Sequence, residues 1–278
     1  MRDMNAVAVH TSNVRCPPSR EQMKNAPLVS VVMPAYNVAP YIEQAAESVL
    51  SQSVSDLELL IVNDASTDDT AMLADSIAAR DARVRVLTNE SNCGVAVTRN
   101  RGIAAARGTY LALLDGDDYW YPEKLEKQLA LAEKTGADII YCSYDMVEER
   151  DEPLRRAFFV PPETSYKKML SRNVISCSTV LLEASALQPS PFGTAKDYSE
   201  DFLLWMQLLE SGKRAVGCTE VLAAYRLLPQ SRSSKKLRCA RGRWTVYRKK
   251  LHLSFFRSSI SFISYACYGV KKYIGLRR

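Results

Sequence analysis

Acidic residues stop at Glu220: positions 221–278 hold no Asp or Glu, yet carry 15 of the 37 Lys and Arg. The formal charge of +6 therefore conceals an acidic body and a strongly basic tail. Histidine is nearly absent. The two present, His10 and His252, flank the body, which excludes a His-based zinc site there. Cysteine numbers seven and forms no CxxC pair, which argues for reduced, buried thiols and against a disulfide framework. No G-x-x-x-x-G-K-[ST] loop occurs, so the phosphate cradle of P-loop ATPases is missing. No apolar run approaches the roughly 20 residues that span a bilayer. No secretory h-region follows Met1, and residues 1–27 read as a flexible, polar extension. With 47% apolar and 24% charged residues in 278, the chain can nonetheless build a sizeable core.

Short apolar runs alternate with helical patterns. "LVSVVMPAYN" (28–37), "LELLIVNDASTDDT" (57–70), "VRVLTNESNCG" (84–94), "TYLALLDGDD" (109–118) and "DIIYCSYDMV" (138–147) read as strands entering polar turns. Between them, "YIEQAAESVLSQS", "VAVTRNRGIAAARG" and "PEKLEKQLALAEKTG" have helical spacing, the last ending at Gly136. Thr67 or Asp68 is placed to cap the helix after the second strand. The alternation predicts an α/β fold, a Rossmann-like, mostly parallel sheet flanked by helices. Ligands gather at the carboxyl ends of such strands. Three polar clusters lie there, at 34–37, 63–69 and 115–118. Beyond residue 150, "NVISCSTVLLEA" reads as a strand, and "YSEDFLLWMQLLESG" as a helix with Phe202, Trp205, Met206 and Leu209 on one face.

The turn Asp115-Gly-Asp117-Asp118 poses the functional question. Crowded carboxylates raise one another's pKa and oppose folding unless a cation or a donor-rich ligand meets them. An EF-hand loop does not fit, because its glycine stands at the sixth position. An acidic surface turn remains open. Hard carboxylates at a strand end suit Mg²⁺ or Mn²⁺ holding a diphosphate.

"VSVVMPAYN", "VNDASTDDT", "NCGVAVTRNRGIAAARGTYLALLDGDDYW" and "SEDFLLWMQLLESG" resemble, in this order, the motifs of the family 2 glycosyltransferases. The resemblance runs from about Leu28 to Arg226. "NVISCSTV" and the basic, aromatic tail resemble the teichuronic-acid and cell-surface polysaccharide branch. It implies an inverting, metal-dependent enzyme of GT-A fold, with a nucleotide-sugar half (28–118), an acceptor half (119–228) and a basic amphipathic tail (229–278). A UDP-sugar donor and a glycan or lipid-linked glycan acceptor follow, with Mn²⁺ or Mg²⁺ as cofactor.

The resemblance also implies roles. Pro34 and Tyr36 would bind the nucleotide-sugar, with Tyr36 stacked on uracil and Asp64 accepting the uracil N3–H. Arg99 would approach the nucleotide, and Asp115 the ribose. Asp117 would hold the metal, with Asp118 close by. Glu200 and Asp201 match the catalytic acidic pair, Asp201 being the base. Trp205 is either a wall under a sugar ring or core. Two positions depart from the pattern: Leu228 stands where many relatives carry a metal-binding His, and Asn63 replaces a commoner Asp. Arg226 and Arg232 could contact the phosphates instead. A non-catalytic nucleotide-sugar or glycan binder is the alternative reading, against which the intact Asp117 and Asp201 speak.

In the tail, Phe256, Ile260, Ile263, Cys267, Val270 and Ile274 form one helical stripe, with Arg257, Lys271 and Lys272 off it. That pattern suits either an anionic membrane surface or packing against the body. Nucleic acid is not an expected partner, since the body holds no recognised reading module. A cytoplasmic protein, peripheral at the inner membrane face, is expected.

Overall fold

The computed structural model describes residues 26–154, 157–193 and 199–273. Most of the N-terminal extension, with His10 and Cys16, lies outside the described residues, as does Ile274 of the tail stripe. Eight strands, β1 (Val29–Ala35), β2 (Leu57–Asn63), β3 (Val84–Thr88), β4 (Tyr110–Leu113), β5 (Tyr119–Trp120), β6 (Ile139–Val147), β7 (Leu181–Glu183) and β8 (Ala215–Arg226), form one sheet of order β3-β2-β1-β4-β7-β6-β8-β5. β1 pairs in parallel with β2 and β4, β2 with β3, and β6 with β8; β7 runs antiparallel to β4 and β6, and β5 to β8. Six strands thus share one direction, and the two reversed strands are the shortest of the mixed sheet.

β1 and β2 are buried at every position, as strands covered by helices on both faces must be. The first four helices are α1 (Ile42–Leu50), α2 (Thr70–Arg80), α3 (Val95–Ala105) and α4 (Lys124–Thr135). Gly136 ends α4 in the left-handed conformation at φ 62°. Asp68 bonds the Thr70 N–H at the start of α2 (3.0 Å) and also the Ala39 N–H (3.1 Å), so it staples the loops after β1 and β2 together.

In the second half come α5 (Tyr166–Ser171), α6 (Glu200–Glu210), α7 (Lys236–Thr245), a π-helical turn (Val246–Lys250) and α8 (Phe255–Tyr273). "NVISCSTVLLEA" does not form one strand: a 3-10 turn at Cys177–Thr179 precedes the three-residue β7. Trp120 Nε1–H holds this turn by bonding the Ser178 carbonyl (2.7 Å). α8 packs on α5 and α7, Phe262 sits edge-on to Trp244, and Arg172 lies over the Tyr268 ring. The helix therefore docks on the body and still leaves Phe256, Ile260, Ile263 and Val270 exposed. Among the described residues no helix is long and apolar enough to cross a membrane.

Candidate functional site

The carboxyl ends of β1, β2 and β4 open into a cavity of about 1260 Å³. Pro34 and Tyr36 line it from the end of β1. Pro34 lies beyond the last β1–β4 pair, Val32 with Leu113, where the strands diverge, and its carbonyl accepts the Gly116 N–H (3.3 Å). A side chain at Gly116 would come within 3.2 Å of that carbonyl, so glycine lets the acidic turn lie directly on β1. Tyr36 is 47% exposed, a ring left open for stacking. Asp64 is nearly buried. Its Oδ1 accepts from Asn89 Nδ2 (2.7 Å) and Cys93 N (2.9 Å), and its Oδ2 from Gly94 N (2.8 Å), at the amino end of α3. The helix dipole favours an anion there. Asp64 thus fastens α3 rather than capping α2, while Oδ2 retains a second acceptor lone pair.

Backbone strain collects around this cavity. Asn37 (φ 52°), Ala65 (φ 55°) and Ser199 (φ 75°) are left-handed, and each adjoins a predicted site residue: Tyr36, Asp64 and Glu200. Such conformations cost about 1–3 kcal/mol each and persist where the surroundings enforce them. Asn37 Oδ1, accepting from Thr67 N (2.8 Å), is one such restraint.

The acidic turn divides. Asp115 and Asp117 line the cavity. Burial, with the neighbouring Asp115 charge, pushes the Asp117 carboxyl up to about 6. Asp118 points inward instead: Oδ1 accepts the Arg226 N–H (2.8 Å) and Oδ2 the Ser178 hydroxyl (2.5 Å). Burial, then repulsion from Asp117 and Asp115, raises its pKa well above the carboxylate range. It joins the turn to β8 and does not line the cavity.

Arg226, expected at the phosphates, is also turned away and almost completely buried. It donates to Asp117 O (2.8 Å), Glu149 O (3.0 Å) and Gln44 Oε1 (2.7 Å), pairs with Asp151 (2.8 Å), and lies over the Tyr41 ring. Its charge sets the backbone of the turn.

Arg99 bridges the two ends of the cavity. One arm reaches Asp115 Oδ1 (2.5 Å), the other Glu200 Oε1 (3.2 Å), and its side chain is only 4% exposed. It is a buried cation. Arg232 grips Glu200 from the opposite side through both oxygens (2.8 and 2.9 Å). Burial would raise the Glu200 pKa, but the bonds from Arg232 and the charge of Arg99 hold it below normal. Asp201 behaves oppositely: burial, then the adjacent Glu200 charge, raises its pKa. Two neighbouring carboxyls are thus set apart, one a fixed anion and one a stronger base.

Trp205 is wholly buried beneath α6, so it belongs to the core and cannot floor a sugar ring. Leu228 does line the cavity and brings no metal-binding atom. Sequence reasoning missed the far wall, built by Lys236, Cys239, Ala240 and Arg243 of α7 and by one face of α8. The 3-4 spacing of those α7 positions was visible, but nothing in it said which way the face would turn.

A family model described as Glycosyl transferase family 2 matches residues 30–181, more than half of the chain. The chain belongs to the family 2 glycosyltransferases. Among relatives, a Bacillus subtilis protein named "Putative teichuronic acid biosynthesis glycosyltransferase TuaG" is 36% identical over 88% of this chain and 97% of its own. The Escherichia coli UDP-Glc:alpha-D-GlcNAc-diphosphoundecaprenol beta-1,3-glucosyltransferase WfgD is 33% identical over 79% of this chain and 85% of its own. The S. aureus TarS 1-349 structure in complex with UDP-GlcNAc aligns with TM-score 0.69 at 18% identity, covering 87% of this chain and 72% of that one. The mannosyltransferase PcManGT from Pyrobaculum calidifontis, in complex with GDP-Man and Mn2+, aligns with TM-score 0.65 at 16% identity, covering 90% and 76%. The fold is GT-A, and this family 2 enzyme is a glycosyltransferase similar to proteins of cell-surface polysaccharide biosynthesis.

The donor set bears on a metal. Among the described residues no three His, Cys, Asp or Glu side chains are gathered closely enough to hold one by themselves. Asp117, with Asp115 beside it, fits a different arrangement. Mg²⁺ and similar hard ions are usually held by one or two carboxylates and completed by substrate phosphates and water.

Proposed function

We propose that this glycosyltransferase moves a sugar, with inversion, from a UDP-sugar to a lipid-linked glycan acceptor in the assembly of a bacterial cell-surface polysaccharide. The observation that carries the reading is the convergence of Tyr36, Asp64, Asp115, Asp117 and Asp201 on one cavity. The names of TuaG and WfgD support the pathway and the lipid-linked acceptor, and the TarS complex supports a UDP-sugar.

In this reading Tyr36 stacks on the uracil ring, Asp64 Oδ2 accepts its N3–H, and Asp115 approaches the ribose. Asp117 holds Mn²⁺ or Mg²⁺. When bound, the ion offsets the negative charge of the departing diphosphate. Asp201 takes the proton of the acceptor hydroxyl as its oxygen attacks the anomeric carbon. The bond from that carbon to the diphosphate breaks, and UDP leaves with the electron pair. The raised basicity of Asp201 suits this task, and general-base catalysis of this kind contributes about 10²–10⁴-fold. Glu200, fixed as an anion by two arginines, keeps that basicity high. The exposed apolar face of α8 rests on the inner membrane surface and brings the cavity to a lipid-borne acceptor.

The test is nucleotide release from a panel of UDP-sugars and GDP-mannose with Mn²⁺, Mg²⁺ or EDTA, alongside titration of UDP. Wild type is expected to turn over one UDP-sugar only with metal. Asp117→Ala is expected to lose metal-dependent UDP binding. Asp201→Asn is expected to keep it while losing about 10²–10⁴-fold in turnover. EDTA-insensitive release, or preference for GDP-mannose, would overturn the donor assignment.

A further inference from the structure

Arg243 is a buried cation whose charge acts on Asp201 and which meets the Tyr247 side chain, yet part of its guanidinium is left without a partner among the described residues. Its residue is 4% exposed, its guanidinium lies 3.3 Å over the Phe202 ring centroid and 4.6 Å over that of Tyr265, and it lines the cavity. Its Nε and Nη1 have no hydrogen-bond partner among the described residues. Aromatic faces offset part of the desolvation cost. They do not satisfy the Nε and Nη1 donors, and a buried polar group left without a hydrogen bond remains costly.

The surroundings say what would complete it. Lys236, Cys239, Ala240 and Arg243 all line the cavity from α7, at spacings that put them on one helical face. That face presents two cations separated by two small side chains. Next to it, Phe262, Ala266 and Gly269 of α8 line the same cavity at spacings of four and three. A cationic shelf beside an apolar wall matches a phosphate group attached to a hydrocarbon chain.

The shelf lies on the side of the proposed base. Arg243 and Arg99 both act on the charge of Asp201.

We propose that Arg243 and Lys236 form an anion subsite for the diphosphate of a lipid-linked acceptor, with the first part of the lipid lying along Phe262, Ala266 and Gly269. The proposal rests on the reading of this protein as a transferase to such an acceptor. It gives that acceptor an address: the diphosphate is fixed on α7 while the sugar hydroxyl reaches Asp201.

Farnesyl diphosphate serves as the probe, titrated calorimetrically into the full-length protein with and without saturating UDP and Mn²⁺. It is expected to bind in both cases. Arg243→Gln and Lys236→Gln are each expected to weaken it about tenfold or more, the usual loss of a charge-assisted hydrogen bond, with UDP affinity within about twofold. Inorganic pyrophosphate is expected to bind more weakly than the prenyl compound. Displacement of the probe by UDP, or equal weakening of UDP by Arg243→Gln, would place the cation at the donor diphosphate and overturn the proposal. Indifference of the probe to both substitutions would do the same. Equal binding of pyrophosphate and farnesyl diphosphate would remove the apolar wall from it. Thermal melts check that Arg243→Gln folds, and if it does not, the exposed Lys236 decides. If wild type fails to bind UDP, the donor reading falls, while the titration without UDP still tests this subsite.

Discussion

Replacing Arg99 by Met retains most of the volume and removes the charge. In the wild type this guanidinium, 4% exposed, neutralises Asp115 at 2.5 Å and shares the almost buried Glu200 with Arg232. Breaking a buried pair by removing one partner costs about 3–5 kcal/mol, because the surviving charge stays out of water. Arg232 still holds Glu200, so the lower end, about 3 kcal/mol, is expected. For a chain of this size that corresponds to a fall in Tm of about 6–12 °C. The pH dependence gives a second reading. Glu200 has a depressed folded pKa against an ordinary value of 4.5, so its contribution is present above that value and lost as pH falls through the folded one. The gap between wild type and variant should therefore be full at pH 7.5 and shrink once pH drops below about 4.5. Differential scanning calorimetry at several pH values measures both. A Tm loss under about 2 °C, or a gap that does not vary with pH, would refute a desolvated bridge.

Lys124 is wholly buried, 3.8 Å over the Trp120 ring and bonded to Gln128 Oε1 (2.7 Å), and burial lowers its pKa from 10.5 to about 8. The unfolded chain therefore binds more protons between those values, and stability rises with pH across that window. Lys124→Met is expected to stabilise the protein by about 1–2 kcal/mol at pH 7, less than the full titration cost because Gln128 loses its donor. In urea titrations the gain should fade as pH approaches 10.5, and a pH-independent difference would contradict it. On the outer face of α8, Phe256, Ile260 and Ile263 are 79%, 70% and 62% exposed. Their joint replacement by Ser should weaken sedimentation with anionic liposomes by more than about tenfold, since each buried apolar side chain is worth about 1.5–3 kcal/mol. Unchanged sedimentation would show that this face meets something other than lipid.

The first half of the sheet was legible because its strands are uniformly apolar and end in polar turns. Tyr36, Asp64, Asp115, Asp117 and Asp201, singled out from the motifs, all line one cavity, the first four because chain topology brings strand ends together whatever the side-chain details. Legibility failed where the outcome depended on direction. Asp117 and Asp118 are adjacent and chemically identical, yet one faces the cavity and the other is bonded to Ser178 and β8. Arg226 and Arg232 both looked like phosphate ligands; the first is turned inward by carbonyls of the 148–149 segment. β5, two residues long, and β7, three, are too short for periodicity to show. Trp205 lies one turn from Asp201, but at a position whose face is decided by the core and not by the cavity.

Arg226 also carries a consequence for how the molecule is assembled. It links residues 182 positions apart when it bonds Gln44, and 109 apart when it bonds the Asp117 carbonyl. Contacts this distant along the chain form late, because loop closure must precede any return from them. Strands β1 to β4 can pair as they emerge, but the turn carrying Asp117 is set only when β8 arrives. A fragment ending before β8 would hold the first four strands without the finished acidic turn. The turn at 115–118 is therefore not a portable cassette: it is the last stitch of a fold that closes from far down the sequence.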